Sequence, residues 1–200
     1  PYEEGRTWLE QALAQDGQRA DLLRRDALYG LGLLAVNQDD AARAESCFSE
    51  SLAMAQAHGE PAGIAFGWIG LSLVAMQRGQ FAQATSHLES ALADAQRLAD
   101  RALGAFCAGL AQTYLGAMAF AQDALPAAAA HFAAALREQR AVDDHWGMGS
   151  SLVRWGYVAR DQGDRAQAVS LFAEGLALFT EIGDRRIIAL ALDGIAGLAV

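Results

Sequence analysis

The chain of 200 residues contains no lysine, only three prolines and only two cysteines. Its formal net charge is −9 at pH 7, and arginine alone carries the fixed positive charge. Binding to a nucleic-acid backbone depends on basic contacts, so we expect no direct nucleic-acid binding by this chain. Cys47 and Cys107 do not make a disulfide framework or a metal site, and a reducing cytoplasm is the simplest setting for them.

The sequence also lacks a long apolar run and a recognisable catalytic motif. Its longest apolar run, residues 124–136, includes His131 and is shorter than the roughly 20 residues that a membrane span needs. Phosphate-binding glycine loops, HExxH motifs and GxSxG motifs are absent. We therefore expect a protein that is not an enzyme, has no cofactor or bound metal, and does not associate with a membrane.

An internal repeat dominates what is present. Four alanines, Ala44, Ala84, Ala128 and Ala168, are separated by 40, 44 and 40 residues, and we call them the anchors. Small residues stand twelve positions before the anchors, and large apolar residues stand four and eight positions after them. These sets are Gly32, Ser72, Gly116 and Gly156; Phe48, Leu88, Phe132 and Phe172; and Leu52, Leu92, Leu136 and Leu176. The chain is 53% apolar, which suits stacked helices.

Small residues at fixed positions predict helices that pack closely. Two antiparallel helices joined by a short turn have axes about 8–10 Å apart, and a small residue at the crossing admits a neighbour's large side chain. Gly79 and Gly163 stand where a helix needs a left-handed terminal residue. An aspartate of the link at residues 142–145 and Asp184 are placed to cap the helices that follow them. The four extra residues before the third pair predict a longer helix there rather than a new domain.

These spacings divide the chain into a single domain of repeats over residues 1–200. A half repeat covers 1–19, full repeats cover about 20–58, 59–98, 99–142 and 143–182, and a further repeat begins at 183–200. The predicted helices are 2–13, 24–36, 40–57, 62–76, 81–98, 101–121, 126–140, 146–160, 165–182 and 185–200. Because the chain starts at Pro1 and stops inside an apolar helix, we expect it to be a fragment of a longer protein.

The small residue, the alanine twelve positions later and the Phe or Leu four positions after that resemble the tetratricopeptide repeat. The usual period is about 34 residues, whereas this one is near 40, and the family's proline at the end of the second helix is missing. The link at residues 181–186, followed by an apolar helix, is similar to long repeats in large bacterial signalling ATPases, including LuxR-type transcriptional regulators. The resemblance implies an all-α, right-handed superhelical solenoid of antiparallel helix pairs.

The same resemblance implies that the first helices of the pairs line a concave groove. The matching positions are Asp26, Tyr29, Leu33 and Val36; Phe66, Ile69, Leu73 and Met76; Leu110, Thr113, Ala117 and Phe120; and Ser150, Val153, Tyr157 and Arg160. The residues expected to contact a partner are Tyr29, Leu33, Phe66, Ile69, Leu73, Met76, Thr113, Phe120, Tyr157 and Arg160. Alternatively, a tight superhelix buries this face against itself.

The groove predicts a module for protein interaction or ligand sensing in a bacterial regulator. Its apolar face would take an apolar or amphipathic segment, from another protein or from another domain of the same polypeptide, and Asp26 would favour a partner with basic flanks. The alternative is a structural arm that forms a homodimer through its end helices. His87 and His131 share one repeat position, which suits helix-surface residues better than a metal site.

Enlarging an anchor tests the repeat directly. We expect Ala128→Leu and Ala168→Leu each to lower the free energy of unfolding by roughly 1–3 kcal/mol, because overpacking a close crossing forces the helices apart. Thermal melts measure the change. Melting temperatures equal to that of the parent protein would show that the anchors are not at a close crossing.

Overall fold

The computed structural model describes residues 4, 5, 7, 9 and 21–198, and this part of the chain contains nine α-helices and no β-strand. The helices are α1 (Asp21–Asn37), α2 (Ala41–His58), α3 (Pro61–Gln77), α4 (Phe81–Ala95), α5 (Arg101–Ala121), α6 (Leu125–Ala141), α7 (His145–Asp161), α8 (Arg165–Ile182) and α9 (Arg185–Ala196). The predicted all-α fold is confirmed, as are the predicted helix pairs joined by short links.

The lengthened third pair is also confirmed. Helix α5 has 21 residues, whereas α1, α3 and α7 have 17 each, so the four extra residues extend the first helix of that pair. The helix predicted for residues 2–13 lies largely outside the described residues; residues 4, 5, 7 and 9 are helical.

Each turn within a pair uses a left-handed residue five positions before the anchor. Gly79 and Gly163 have φ values of 70° and 81°, as predicted, and Asp39 and Asp123 fill the same position with φ values of 60° and 58°. Aspartate tolerates this conformation better than most residues do, because its short side chain bonds locally. The turn therefore needs Gly or Asp, and it reverses the chain so that the two helices of a pair are antiparallel.

Aspartate also begins the helices as the sequence predicted. The Asp144 carboxylate accepts a hydrogen bond of 2.9 Å from the Gly147 backbone N–H. The Asp184 carboxylate accepts bonds of 3.0 and 3.3 Å from the N–H groups of Arg186 and Ile187. Each cap satisfies donors that have no partner inside the helix.

The core of each pair is a large apolar side chain held against a small residue. All four anchors are fully buried, and Phe48, Leu88, Phe132 and Phe172 are buried next to them. A Cβ atom added to Gly32 would lie 2.5 Å from the ring of Phe48, far inside van der Waals contact. The equivalent distances are 2.8 Å for Gly116 and Phe132 and 2.7 Å for Gly156 and Phe172. In the three pairs that have phenylalanine four residues after the anchor, the position twelve residues before the anchor therefore needs glycine.

The second pair shows the converse. It has Ser72 where the others have glycine, and it has Leu88 where they have phenylalanine; both residues are fully buried. The Ser72 hydroxyl donates a 2.6 Å hydrogen bond to the backbone oxygen of Ile69, so its polar group is satisfied inside its own helix. In this pair serine is larger than the glycine it replaces, and leucine is smaller than the phenylalanine it replaces, so the two changes compensate in volume.

Phe48 and Phe172 each meet a second glycine from the next pair. A Cβ on Gly70 would overlap the Phe48 ring, and a Cβ on Gly194 would overlap the Phe172 ring. Gly70 stands two residues before Ser72, and Gly194 has the corresponding place in α9. We call this place the flanking position. A glycine there lets the first helix of the next pair close onto the ring.

The helices form two compact units, residues 1–107 and 108–200. In the first unit α1 packs on α2 and α3, and α3 packs on α2 and α4. In the second unit α7 packs on α6, α8 and α9, and α8 packs on α9. Within each unit, therefore, the two helices of a pair contact each other, and the first helix of one pair also contacts the first helix of the next. That all 200 residues form one repeat domain stays a prediction.

Helix α5 is both long and apolar. By length and mean hydropathy alone it is long and apolar enough to cross a membrane, although no such segment was expected. Its Cys107, Ala111, Leu115 and Met118 are buried within the protein, which is the pattern of a core helix.

The dependence between the small residue and the large apolar residue can be measured by placing the serine and leucine of the second pair at positions 156 and 172 of the fourth pair. We expect Gly156→Ser to lower the free energy of unfolding by about 1–3 kcal/mol, because the added atoms overlap the ring of Phe172. Phe172→Leu alone should cost roughly 1–2 kcal/mol through a cavity. The double variant should cost less than the sum by at least about 0.5 kcal/mol, as measured by urea denaturation. Additive losses would show that the two positions do not depend on each other.

Candidate partner-binding clefts

The first unit has a cleft of about 220 Å³ between its first helices. Its lining residues are Arg25, Asp26, Tyr29, Ser51, Gly63 and Phe66. The rings of Tyr29 and Phe66 are 5.6 Å apart, and those of Phe66 and Phe106 are 6.3 Å apart. One aromatic residue from each of α1, α3 and α5 therefore contributes to a continuous row, in the tilted arrangements that aromatic pairs favour.

The charges in this first cleft compensate one another. Arg25 makes a 2.6 Å ion pair with Asp26 and a second ion pair with Glu60. Its guanidinium also packs against Gly63, where any side chain would collide with it. The expectation that Asp26 attracts a basic partner is therefore weakened, because Arg25 already offsets its charge.

The second unit has a cleft of about 260 Å³. Its lining residues are Ala117 and Phe120 of α5, Phe132 of α6, Arg154 and Tyr157 of α7, and Leu190 of α9. Tyr157 is fixed on three sides. Its hydroxyl donates a 2.7 Å bond to the backbone oxygen of Leu190, its ring packs edge-on against Phe172, and the Arg160 guanidinium lies 4.8 Å from its ring centre.

The Tyr157 hydroxyl also lies 3.3 Å from a carboxylate oxygen of Asp193. Burial is the main reason that the pKa of Tyr157 is raised, and the charge and hydrogen bond of Asp193 raise it further. The hydroxyl is therefore protonated at neutral pH and acts as a donor that ties α7 to α9.

Four of the residues predicted to contact a partner line the two clefts. Tyr29 and Phe66 lie in the first, and Phe120 and Tyr157 lie in the second. Arg160 is beside the second cleft, where it pairs with Asp161 at 2.8 Å. The other half-buried members of the predicted set, Leu33, Leu73 and Met76, line neither cleft; Leu33 packs against the core around Phe48.

Two predicted contact residues are instead core residues. Ile69 is 0% exposed, so its side chain is not available to a partner. Thr113 is 7% exposed, and its hydroxyl lies 2.9 Å from the Gly109 backbone oxygen and 3.0 Å from Ser151. The side-chain amide of Gln139 also donates to Thr113 at 3.1 Å. The even spacing along the first helices did not separate inward-facing from outward-facing positions.

Arg154 and Leu190 belong to the second cleft but were not predicted. A usable signal was present for Arg154. It stands two residues before Gly156, at the flanking position where Gly30, Gly70 and Gly194 occur in other pairs. Tyr114 stands at this position in the third pair, so Tyr114 and Arg154 both depart from glycine there, and comparing the repeats within the chain could have found both.

The two histidines singled out from the sequence have ordinary helix-packing roles. His87 stacks on Trp68 with ring centres 5.3 Å apart, and the His131 ring nitrogen Nδ1 lies 2.7 Å from the Gln112 side-chain oxygen. Burial lowers the pKa of both histidines below the usual 6.5. Among the described residues, no group of three or more His, Cys, Asp or Glu is arranged to hold a metal ion.

No family model and no curated protein matches the sequence. Solved structures do match, among them a chain from the crystal structure of the APC/C hetero-tetramer Cut9-Hcn1. The two chains are 20% identical with a TM-score of 0.42, and the match covers 100% of this chain and 42% of the other. This chain therefore spans less than half the length of the one it matches. A likeness at this level leaves function to be argued from the clefts.

The lowered pKa values of the histidines predict how stability depends on pH. Folding favours the neutral imidazole at His87 and His131, so protonation opposes folding and stability falls as pH drops through the unfolded value of 6.5. We expect a lower urea midpoint at about pH 5.5 than at about pH 7.5. His87→Gln combined with His131→Gln should reduce that difference. An unchanged difference in the double variant would assign the pH dependence to other groups.

Proposed function

We propose that this chain is a non-catalytic helical-repeat module that binds a protein partner on the face formed by its first helices. The observation that supports this most is that each unit has a cleft between first helices with half-buried aromatic side chains in its lining: Tyr29 and Phe66, and Phe120 and Tyr157. Partly exposed aromatic residues in a concave site are typical of binding surfaces, because they offer a large contact area at a small cost in side-chain entropy.

The size of the clefts favours a peptide over a metabolite. Pockets for drug-sized ligands enclose about 300–1,000 Å³. The two clefts enclose about 220 and 260 Å³. Each is large enough for one or two side chains, so the occupant is an extended partner that places an apolar residue in a cleft and continues along the surface. An apolar or amphipathic segment meets this requirement.

The cellular context of the proposal comes from the resemblance of the repeats to those of bacterial signalling ATPases and LuxR-type regulators. In that setting the module is cytoplasmic, and the partner is another protein or another domain of the same polypeptide. Cys47 and Cys107 are buried free thiols, which suits a reducing compartment. The formal charge of −9 disfavours direct contact with nucleic acid.

A specific observation supports the alternative of a self-associating arm. Helix α9 presents Leu190 and Leu192, which are 40% and 50% exposed. Apolar side chains in this position could pair with the same helix of a second copy. Sedimentation equilibrium distinguishes the two functions, because self-association through α9 makes the apparent mass depend on protein concentration and on Leu192.

Selection from a random peptide library tests the proposed function. We expect peptides with apolar residues to be enriched on the wild-type protein, and Phe66→Gln or Phe120→Gln to weaken the binding of enriched peptides by about tenfold, since each removes an aromatic anchor. Leu192→Gln is the matched control, because it replaces an exposed apolar residue outside both clefts. Circular dichroism confirms that the variants are folded.

Two outcomes would contradict the proposal. Peptides that bind both Phe variants as tightly as the wild type would place the binding surface elsewhere. If no peptide is enriched and the mass rises with concentration unless Leu192 is replaced, the chain is a self-associating arm.

A further inference from the structure

Arg154 occupies the flanking position, which carries glycine in α1, α3 and α9 and a tyrosine, Tyr114, in α5. At the flanking positions of α3 and α9, Gly70 and Gly194 lie so near Phe48 and Phe172 that no side chain fits. Arg154 has the corresponding place in α7, next to the ring of Phe132. An arginine side chain therefore stands where α3 and α9 have no side chain.

The second cleft includes this position. Phe132 and Arg154 both line it, together with the apolar side chains of Phe120 and Leu190. The equivalent contact between α8 and α9, in the same unit, is closed by Gly194. Arginine at this position thus places a cation in the lining of the cavity.

Arg154 differs from other arginines near the clefts in having no partner for its charge. Arg25 pairs with Asp26 and Glu60, and Arg160 pairs with Asp161. Among the described residues, Arg154 makes neither a hydrogen bond nor a salt bridge; its electrostatic neighbours are Tyr114 and a second cation, Arg186. Asp193, the acidic residue bound to Tyr157, belongs to the tie between α7 and α9.

The surroundings of Arg154 strengthen its attraction for an anion. Its side chain reaches solvent, yet crowding by the cleft desolvates it, and this is the main reason that the pKa of Arg154 is lowered. Arg186 lowers that pKa further. A guanidinium remains charged at neutral pH even so, and a partly desolvated cation gains more from a bound carboxylate than a fully hydrated one does.

We propose that the second cleft recognises a partner segment in which an apolar side chain lies beside a carboxylate. The apolar group contacts Phe120 and Leu190, and the aspartate or glutamate accepts paired hydrogen bonds from the Arg154 guanidinium, whose planar shape suits a carboxylate. This inference rests on the proposed function and names its partner's chemistry. A phosphate backbone is disfavoured because the chain is strongly acidic apart from such isolated cations.

The test compares one peptide library on two proteins. Peptides are displayed with both ends fused, so that no terminal carboxylate is present, and are selected on the wild type and on Arg154→Met. The methionine keeps a long apolar stem in the cleft but removes the charge and its hydrogen bonds. We expect Asp or Glu to be enriched beside apolar residues on the wild type and to lose that enrichment on Arg154→Met, with the apolar preference retained.

A pair of synthetic peptides then gives the magnitude. One contains the selected glutamate and the other has glutamine in its place, and fluorescence anisotropy measures both affinities. We expect the glutamate peptide to bind wild type about tenfold more tightly, and the preference to disappear in Arg154→Met. Arg165→Met is the control, because it removes the same charge from an exposed site in the same unit that lines neither cleft. If Arg154→Met unfolds, equal binding of the two peptides to wild type would still overturn the inference.

The outcomes separate this inference from the proposed function. Apolar peptides enriched on the wild type without acidic neighbours, or with basic ones, would overturn the role of Arg154 and leave the peptide-binding function standing. Equal loss of the glutamate preference in Arg165→Met would show that net charge, not the cleft, selects acidic peptides. If no peptide is enriched on either protein, both proposals fail.

Discussion

The contact of a phenylalanine ring with a glycine backbone is the constraint on which three of the four helix pairs depend. The ring fills the space between two antiparallel helices, and the glycine removes the one side-chain atom that would keep them apart. Glycine within a helix costs about 0.5–1 kcal/mol relative to alanine, so its repeated use is explained only by what the close approach stabilises. Burying a large aromatic side chain contributes about 1.5–3 kcal/mol, which exceeds that cost.

This constraint also explains which parts of the structure could be predicted. The twelve-residue spacing between Gly32 and Ala44 placed the helix pairs, and the left-handed residues placed the turns, because both depend on local geometry. The direction in which Ile69 and Thr113 point could not be obtained in the same way. A first helix touches its own pair on one side and its neighbour on another, so most of its surface is buried and spacing alone does not identify the exposed strip.

The sequence predicted some residues of the second cleft and missed others. Phe120 and Tyr157 were predicted because they match groove positions along the first helices. Leu190 was not, because its place in the cleft depends on α9 packing against α7 and on the hydrogen bond from Tyr157 to its backbone. Arg154 was missed for a different reason: the groove positions were predicted from features that the repeats share, whereas Arg154 departs from the glycine found at its position in other repeats.

The two clefts arise in different ways, and the difference bears on selectivity. In the first unit Gly70 closes the helices onto Phe48, and the cleft remains at the surface among Tyr29, Phe66 and an internally compensated set of charges. In the second unit Arg154 stands at the flanking position and lines the cleft, and among the described residues it makes neither a hydrogen bond nor a salt bridge. A repeat built only from the glycine contact would offer the same apolar surface in every pair. Departures such as Arg154 distinguish one site from the next, because they change the local spacing and the local charge together.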